Sequence, residues 1–285
     1  MPGLLPEPTV EELDAACRVV NRPGWRAEEL PLSSPVRFGV ESAILSSMQG
    51  GGAIWNTAFT GGESGIPIHH LIWMADAETM LRHMEDGIRR GFNCLKLKVG
   101  ALPWAQELEL LQTAHTAFPQ SEIRVDANGA FTPTEALHKL ESLASAGVHS
   151  IEQPLAPHQE KELADLCRVS PLPIALDEEL IYHALWTEQR ERLLDNIRPH
   201  AIVIKPSLHG GLLAAEHWAQ AAEERCIQWW ANSALESNIG RTTLAEWCAH
   251  RAPGRLQGLG TGSLFTDDDE GPLYTQGNCI FYRKT

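Results

Sequence analysis

The 285-residue chain is short of positive charge. It carries 23 lysines and arginines against 37 aspartates and glutamates, a formal net charge of −14. Proteins that grip a phosphate backbone usually present a basic face, and no lysine or arginine cluster here is long enough to make one. Nucleic acid is therefore excluded as a partner. Paired cysteine motifs are also missing. The six cysteines, at 17, 94, 167, 226, 248 and 279, form no CxxC, which argues against a zinc ribbon or a dithiol redox pair. The expectation is buried, reduced thiols in a cytoplasmic protein. No apolar run approaches the roughly 20 residues of a transmembrane helix, so no membrane is expected. The start, "MPGLLPEPTVEELDAAC", lacks a basic stretch followed by an apolar core and does not read as a secretory signal. A full GxGxxG is absent too: "GLGTG" at Gly258–Gly262 is incomplete and follows the last predicted strand, the wrong context for a dinucleotide loop.

What is present is a regular alternation. From about residue 66, short apolar runs ("IPIHHLIW", "CLKLKVG", "IRVDANG", "HSIEQPL", "PIALDEEL", "AIVIKPSLHG", "CIQWWANSALES", "GRLQGLGTGS") are separated by stretches with helical spacing. "AETMLRHMEDGIRRG" ends in basic residues and a glycine, as helix C-termini do. "TPTEALHKLESLASAG" opens on Thr132 with Glu135 three residues on, a capping box. "GLLAAEHWAQAAEER" is amphipathic. Charged landmarks on the predicted strands, at 98, 126, 152, 177 and 205, recur in steps of 28, 26, 25 and 28 residues. Eight strands alternating with helices over one span predict an α/β fold of the (β/α)8 barrel type; a doubly wound open sheet is the alternative. Residues 1–65 read as mainly helical, with one helix in "TVEELDAACRVV", another in "SPVRFGVESAILSSMQ" capped by Ser34, and a glycine-rich loop leading to a barrel at 66–265. Residues 266–285 form a C-terminal segment.

Barrel enzymes keep their chemistry at the C-terminal ends of the strands. There the chain offers Lys96 and Lys98, then Asp126 and Asn128, then Glu152, then Asp177 and Glu178, then Lys205. Residues two apart on a strand share a face, so Lys96 and Lys98 point the same way. Three carboxylates converging on one mouth repel one another, and a hard divalent cation resolves this. Oxygen ligands without histidine or cysteine suit Mg²⁺ or Mn²⁺. The competing reading pairs each acid with a neighbouring base. With a cation, Lys98 and Lys205 would flank it from opposite sides. A lysine whose pKa is depressed by burial would then take the proton α to a bound substrate carboxylate, giving an enediolate.

"KLK", "DANG", "EQP", "DEEL" and "IVIKPSLHGG", in this order and spacing, resemble the enolase superfamily, in its muconate-lactonizing-enzyme-like branch with a lysine on each side. "SPVRFGVESA", "SALESNIG" and "GLGTGSLF" are similar to its o-succinylbenzoate synthase family. The resemblance covers roughly residues 34–285. It implies a (β/α)7β barrel and a metal-dependent syn dehydration of a cyclohexadiene carboxylate to o-succinylbenzoate in menaquinone or phylloquinone synthesis. Carried onto this sequence, it makes Lys98 the base and has Lys96 hold the substrate carboxylate. Asp126, Glu152 and Asp177 become metal ligands, and Lys205 the cation on the opposite face. Asn128 and Glu178 would orient the ligands. Ala231–Ser237, with Asn232, Ser233 and Ser237, would line the pocket for the succinyl tail. An N-acylamino acid racemase or dipeptide epimerase could use the same set, and a silent barrel scaffold is the reading from another class.

The family also implies a capping domain of antiparallel strands with a mobile loop over the mouth. "PGLLPEP" resembles the middle of that domain, so residues 1–65 are expected to be a truncated remnant of it, with 266–285 returning toward it and a homo-oligomer or partner chain covering what it leaves bare. His69–His70 and Trp229–Trp230 read as packed residues, and "TDDDEG" at 266–271 as a solvated turn, not a calcium loop.

Overall fold

The computed structural model of the protein describes residues 8–20, 32–183, 187–261 and 271–284. Two helices come first, α1 (Val10–Val20) and α2 (Ser34–Met48). Ser33, not Ser34, takes the cap position of α2. Its carbonyl accepts from Arg37 N at 2.9 Å, and Pro35 occupies the first turn, where a missing N–H costs nothing. The cap expected at Ser34 thus sits one residue earlier.

The alternation then follows in chain order: β1 (Ile66–Pro67), β2 (His70–Ile72), α3 (Ala77–Arg89), β3 (Cys94–Lys98), α4 (Trp104–Ala117), β4 (Glu122–Asp126), α5 (Pro133–Ser145), β5 (Ser150–Glu152), α6 (Glu160–Val169), β6 (Ile174–Leu176), α7 (Glu178–Ile181), α8 (Thr187–Ile197), β7 (Ala201–Ile204), α9 (Gly211–Glu224), β8 (Gln228–Ala231), α10 (Asn238–Arg251), β9 (Leu273–Gln276) and β10 (Cys279–Tyr282). Strands β2 to β8 form one parallel sheet in sequence order. Each crossover carries a helix, as parallel neighbours require. At the α5 start, Thr132 N donates to Glu135 Oε1 at 2.9 Å.

The sheet closes through Gln257 and Gly258, which are too short a run to form a strand. Gln257 bridges to Ile68 and Gly258 to Asn232, both in parallel sense. Gln257 N donates to Pro67 O at 2.9 Å, Ser233 N to Gly258 O at 2.9 Å, and Ala231 N to the Gln257 side chain at 2.7 Å. The eighth position of the barrel is thus filled by "LQG". The run "IPIHHLIW" is also not one strand. Ile66–Pro67 pairs antiparallel with β10, in a three-stranded sheet with β9, while His70–Ile72 joins the barrel. Pro67, which has no N–H to donate, is the last residue of the run paired with β10.

Between sheet and helices lie the large apolar side chains. Trp218 of α9, Trp229 of β8 and Trp247 of α10 are fully buried, each removing roughly 200 Å² from water. Trp229 meets Trp247 with ring centroids 5.6 Å apart. Its neighbour Trp230 turns inward with Ala175, Ala201 and Val203. Both tryptophans are core, and His69 is buried. Cys94, Cys167 and Cys248 are buried thiols, whereas Cys17 and Cys226 are exposed and Cys279 is half-buried, so the expected burial holds for three of the six. No helix among the described residues is long and apolar enough to cross a membrane. Residues 266–270 of the acidic run, the end of "GLGTGSLF" at 262–265 and residues 2–7 lie outside the described residues.

Two carboxylates fasten the first helical segment to the barrel. Glu41 of α2 accepts from Leu212 N at 2.6 Å and Leu213 N at 3.2 Å, at the start of α9. Glu246 of α10 accepts from Ile54 N at 2.6 Å. Gly211 has φ +91°, and a Cβ there would lie 2.5 Å from Glu41 Oε2, so the contact needs glycine. Removing the Glu41 carboxylate leaves helix N–H groups without it in a buried place. Glu41→Ala is expected to lower unfolding free energy by about 1–3 kcal/mol in urea titrations. A loss under about 0.5 kcal/mol, the usual effect of a surface change, would show that this contact does not hold α2 in place.

Candidate metal centre and active site

Register decides which side chains meet at the carboxyl rim of the barrel. Lys98 pairs with Asp126, and Asp126 with Glu152. Asp177 directly follows β6 and Lys205 directly follows β7. Lys96 lies two residues below Lys98 on the same interior face. Lys98 stands on the second strand of the parallel sheet and Lys205 after the sixth, so they approach the mouth from opposite sides.

The charges interlock. Lys96 Nζ is 2.6 Å from Glu152 Oε2 and 3.0 Å from Asp126 Oδ2. Lys98 Nζ donates to Asp126 Oδ2 at 2.7 Å and to Asn128 Oδ1 at 2.6 Å. Lys205 Nζ pairs with Asp177 Oδ2. The Lys96 and Lys205 side chains are 5 % and 8 % exposed, whereas Lys98 is 30 % exposed and opens to the mouth. Asn128 holds a left-handed backbone, φ 44°, which asparagine tolerates. From there it donates to Glu178 Oε1 at 2.8 Å, so Lys98, Asn128 and Glu178 form a chain.

Burial and charge act against each other here. Burial pulls the Lys96 pKa down, but Asp126 and Glu152 outweigh it and hold the ammonium above the ordinary lysine value. At Lys205 burial likewise loses to Asp177 and Glu152. The depression expected from burial is therefore reversed at both residues, because each ammonium touches a buried carboxylate. Among the acids, burial raises Asp126, yet Lys96 and Lys98 bring it well below the usual range. Burial and the Asp126 charge push Glu152 up to about 8, against the pull of Lys96. Burial also raises Asp177, against Lys205.

One oxygen each from Asp126, Glu152 and Asp177 lies within 4.8 Å of the others, all three residues being buried. Glu152 Oε1 and Asp177 Oδ1 are sealed from water with no hydrogen-bond partner. Buried carboxylate oxygens without donors are costly, and a hard cation satisfies them together. The donor set fits such an ion. A second group, Glu160, Glu179 and His183, also brings ligand atoms together. There His183 Nε2 is 3.6 Å from Glu160 and 3.9 Å from Glu179, burial holds that ring toward its neutral form, and Glu179 accepts from His158 N.

Residues 79–270 match the family model for the enolase C-terminal domain-like family. The chain belongs to that family. Among relatives, an o-succinylbenzoate synthase of Desulfotalea psychrophila is 46% identical over 248 residues, covering 86% of this chain and 67% of that protein. An N-succinylamino acid racemase of Thermus thermophilus is 32% identical over 160 residues, covering 56% of this chain and 40% of that protein. The chain thus spans about two thirds of the first relative and less than half of the second. The crystal structure of MenC from Desulfotalea psychrophila superposes with a TM-score of 0.84 at 37% identity, covering 99% of this chain and 88% of that one. The L-Ala-D/L-Glu epimerase of Bacillus subtilis shares the family's fold at a TM-score of 0.79 and 21% identity, covering 96% of this chain and 75% of that one.

The loop after β8 also reaches the mouth. Asn232, with its amide oriented to match both neighbours, accepts from Lys96 Nζ at 3.1 Å and donates to Ala231 O at 3.1 Å. Ser233 is buried, donating to Glu236 Oε2 at 2.6 Å and accepting from Thr261 at 2.8 Å. Ser237 is exposed at the cap of α10, and no hydrogen bond among the described residues joins its side chain to the acidic cluster. Sequence reasoning missed three supports. Gln153 accepts from Asp177 N at 3.0 Å and so fixes that residue's backbone. Glu236 accepts from Ser207 as well as Ser233, tying the loops after β7 and β8. Glu107 accepts from Gly100, Ala101 and Leu102 N–H and sets the loop beyond Lys98. The "EQP" and "SALES" runs carried the first two, but their roles depend on tertiary contact.

The raised acids set a pH response for the metal-free protein. The unfolded chain releases the Glu152 and Asp177 protons near the ordinary carboxylate value of about 4. The folded chain releases them later, Glu152 at about 8. Metal-free stability should therefore fall as pH rises between these limits, while the depressed Asp126 acts in the opposite sense only below about pH 4. Adding Mg²⁺ should release protons at neutral pH, and its thermal stabilisation should grow from about pH 6 to about pH 8. Calorimetry in two buffers of different ionisation enthalpy reads the release. Binding without proton release would contradict a Glu152 that keeps its proton at neutral pH.

Proposed function

We propose that this chain is an o-succinylbenzoate synthase, a carbon–oxygen lyase dehydrating a cyclohexadiene carboxylate. The observation that carries the reading is the partly exposed Lys98 Nζ, held by Asp126 and Asn128 beside the buried three-carboxylate centre, with Lys205 across the mouth. The 46% identity to the Desulfotalea synthase favours this activity over others of the same fold.

Asp126, Glu152 and Asp177 would hold a Mg²⁺ or Mn²⁺ ion, whose charge, when bound, favours negative charge building on a substrate carboxylate. The chain's own residues do the rest. Lys96, buried under the cluster and held by Asn232, anchors the substrate carboxylate from below. Lys98 takes the proton on the carbon next to that carboxylate. Acting on the same face, it returns a proton to the departing hydroxyl, which leaves as water as the double bond forms. Lys205 presents a fixed positive charge on the opposite face. Asn128 holds Lys98 in line, and Glu178 holds Asn128. The loop Ala231–Ser237 closes the pocket side that receives the substrate's tail, with Asn232 and Ser233 nearest the centre.

A direct assay tests the proposal: purified protein, the cyclohexadiene substrate and Mg²⁺, with formation of the aromatic product followed by absorbance. Turnover is expected. No turnover, together with racemisation of N-succinyl amino acids, would move the assignment to the racemase that the Thermus relative is named for. Turnover of neither would favour a silent scaffold. Lys98→Ala is expected to remove dehydration and α-proton exchange by a factor of at least about 10² while substrate still binds. Exchange that persists in deuterated solvent, read by NMR, would show that Lys98 is not the base.

A further inference from the structure

At the other end of the barrel, where the strands begin, a cavity of about 660 Å³ opens. Arg124, Arg198, Arg225, His149, His200 and Trp230 line it, and Asp195 is the one carboxylate among its lining residues. This is a cationic pocket in a protein whose net charge is −14. Its room has a structural origin. The interior layer here is built from Ala175, Ala201 and Val203 around Trp230, and small side chains at the strand starts leave space that a typical barrel fills with bulky ones.

Arg124 sits in the wall of this space. It lies on β4 two residues below Asp126 and so points to the same interior. Its side chain is only 14 % exposed. Its Cζ stacks 4.6 Å above the Trp230 ring, and its Nε donates to Glu122 Oε1 at 2.5 Å. Neither terminal nitrogen has an acceptor among the described residues, and neither is sealed from solvent. Glu122 pairs with the Nε edge and leaves the fork open. Arg225 is already committed to Asp195 through Nε at 2.8 Å and Nη2 at 3.0 Å. The exposed Arg198 side chain makes no hydrogen bond among the described residues. His200 Nδ1 accepts from Ile174 N at 3.1 Å, so its Nε2 carries the hydrogen of the neutral ring. The pocket therefore offers unmatched donors, two of them guanidinium forks suited to planar oxyanions.

We infer that this cavity binds a small organic or inorganic oxyanion, a carboxylate or a phosphate, held by the Arg124 fork and by Arg198. The site is separate from the acidic cluster and needs no metal. Isothermal titration of the full chain, metal-free and at constant ionic strength, with tricarballylate and separately with inorganic phosphate tests it. One-site binding in the millimolar range or tighter is expected for at least one probe; which probe binds tells carboxylate from phosphate. Arg198→Glu, at an exposed position that does not endanger folding, should weaken it at least about tenfold, the loss of one charge-assisted contact. Arg124→Met should weaken it at least as much, and Lys98→Ala, at the other end of the barrel, should leave it unchanged. Binding of neither probe, or binding that Arg198→Glu does not weaken, overturns the assignment.

Discussion

Three carboxylates buried at one rim of a barrel cannot all stay charged without countercharge, and much of the mouth is arranged around that constraint. Lys96, Lys98 and Lys205 supply it in the metal-free protein, each touching one or two of Asp126, Glu152 and Asp177. The compensation is incomplete. Glu152 and Asp177 each keep an oxygen with no donor, and both acids are shifted toward the protonated form. A cation bound there, as proposed, would fill that gap, with Lys98 and Lys205 on either side of it.

The fold serves this balance by fixing heights. In-register pairing of Lys98 with Asp126 and of Asp126 with Glu152 sets the cluster at one level of the barrel. The residues just outside the cluster hold it there: Gln153 fastens the Asp177 backbone, Asn128 and Glu178 fasten Lys98, and Asn232 reaches Lys96 from the loop after β8. The closure itself rests on two residues, Gln257 and Gly258, bonded to both flanking strands. That leaves the β8 side of the mouth to a loop, in which Glu236 joins Ser207 to Ser233. Loops placed on a rigid scaffold are where relatives sharing one fold part in specificity.

The sequence made the barrel and its cluster readable because two periods coincide. The strand–helix unit repeats every 25 to 28 residues, and within "CLKLK" the two-residue pleat puts both lysines on one face. Those periods carry Lys96, Lys98, Asp126, Glu152, Asp177 and Lys205 to one place without further information. What they did not carry depends on contacts distant in the chain. The eighth strand shrank to a bridge, and "IPIHHLIW" divided at Pro67 because its first half found β10. Ser33 displaced Ser34 as the cap, one residue being below what a pattern resolves. The lysine pKa values went up where burial alone would send them down, since distances of 2.6 to 3.0 Å to carboxylates are not written in spacing. Arg124, one pleat below Asp126 in "IRVD", carries no mark in the sequence that it faces an open cavity.

The most direct measurement is crystallographic: the protein soaked with Mn²⁺, with diffraction recorded at the manganese absorption edge. One anomalous peak is expected, bound by carboxylate oxygens of Asp126, Glu152 and Asp177, with Lys98 and Lys205 on opposite sides of it. No peak there, or one held by Glu160, Glu179 and His183 instead, would contradict the three-carboxylate metal centre.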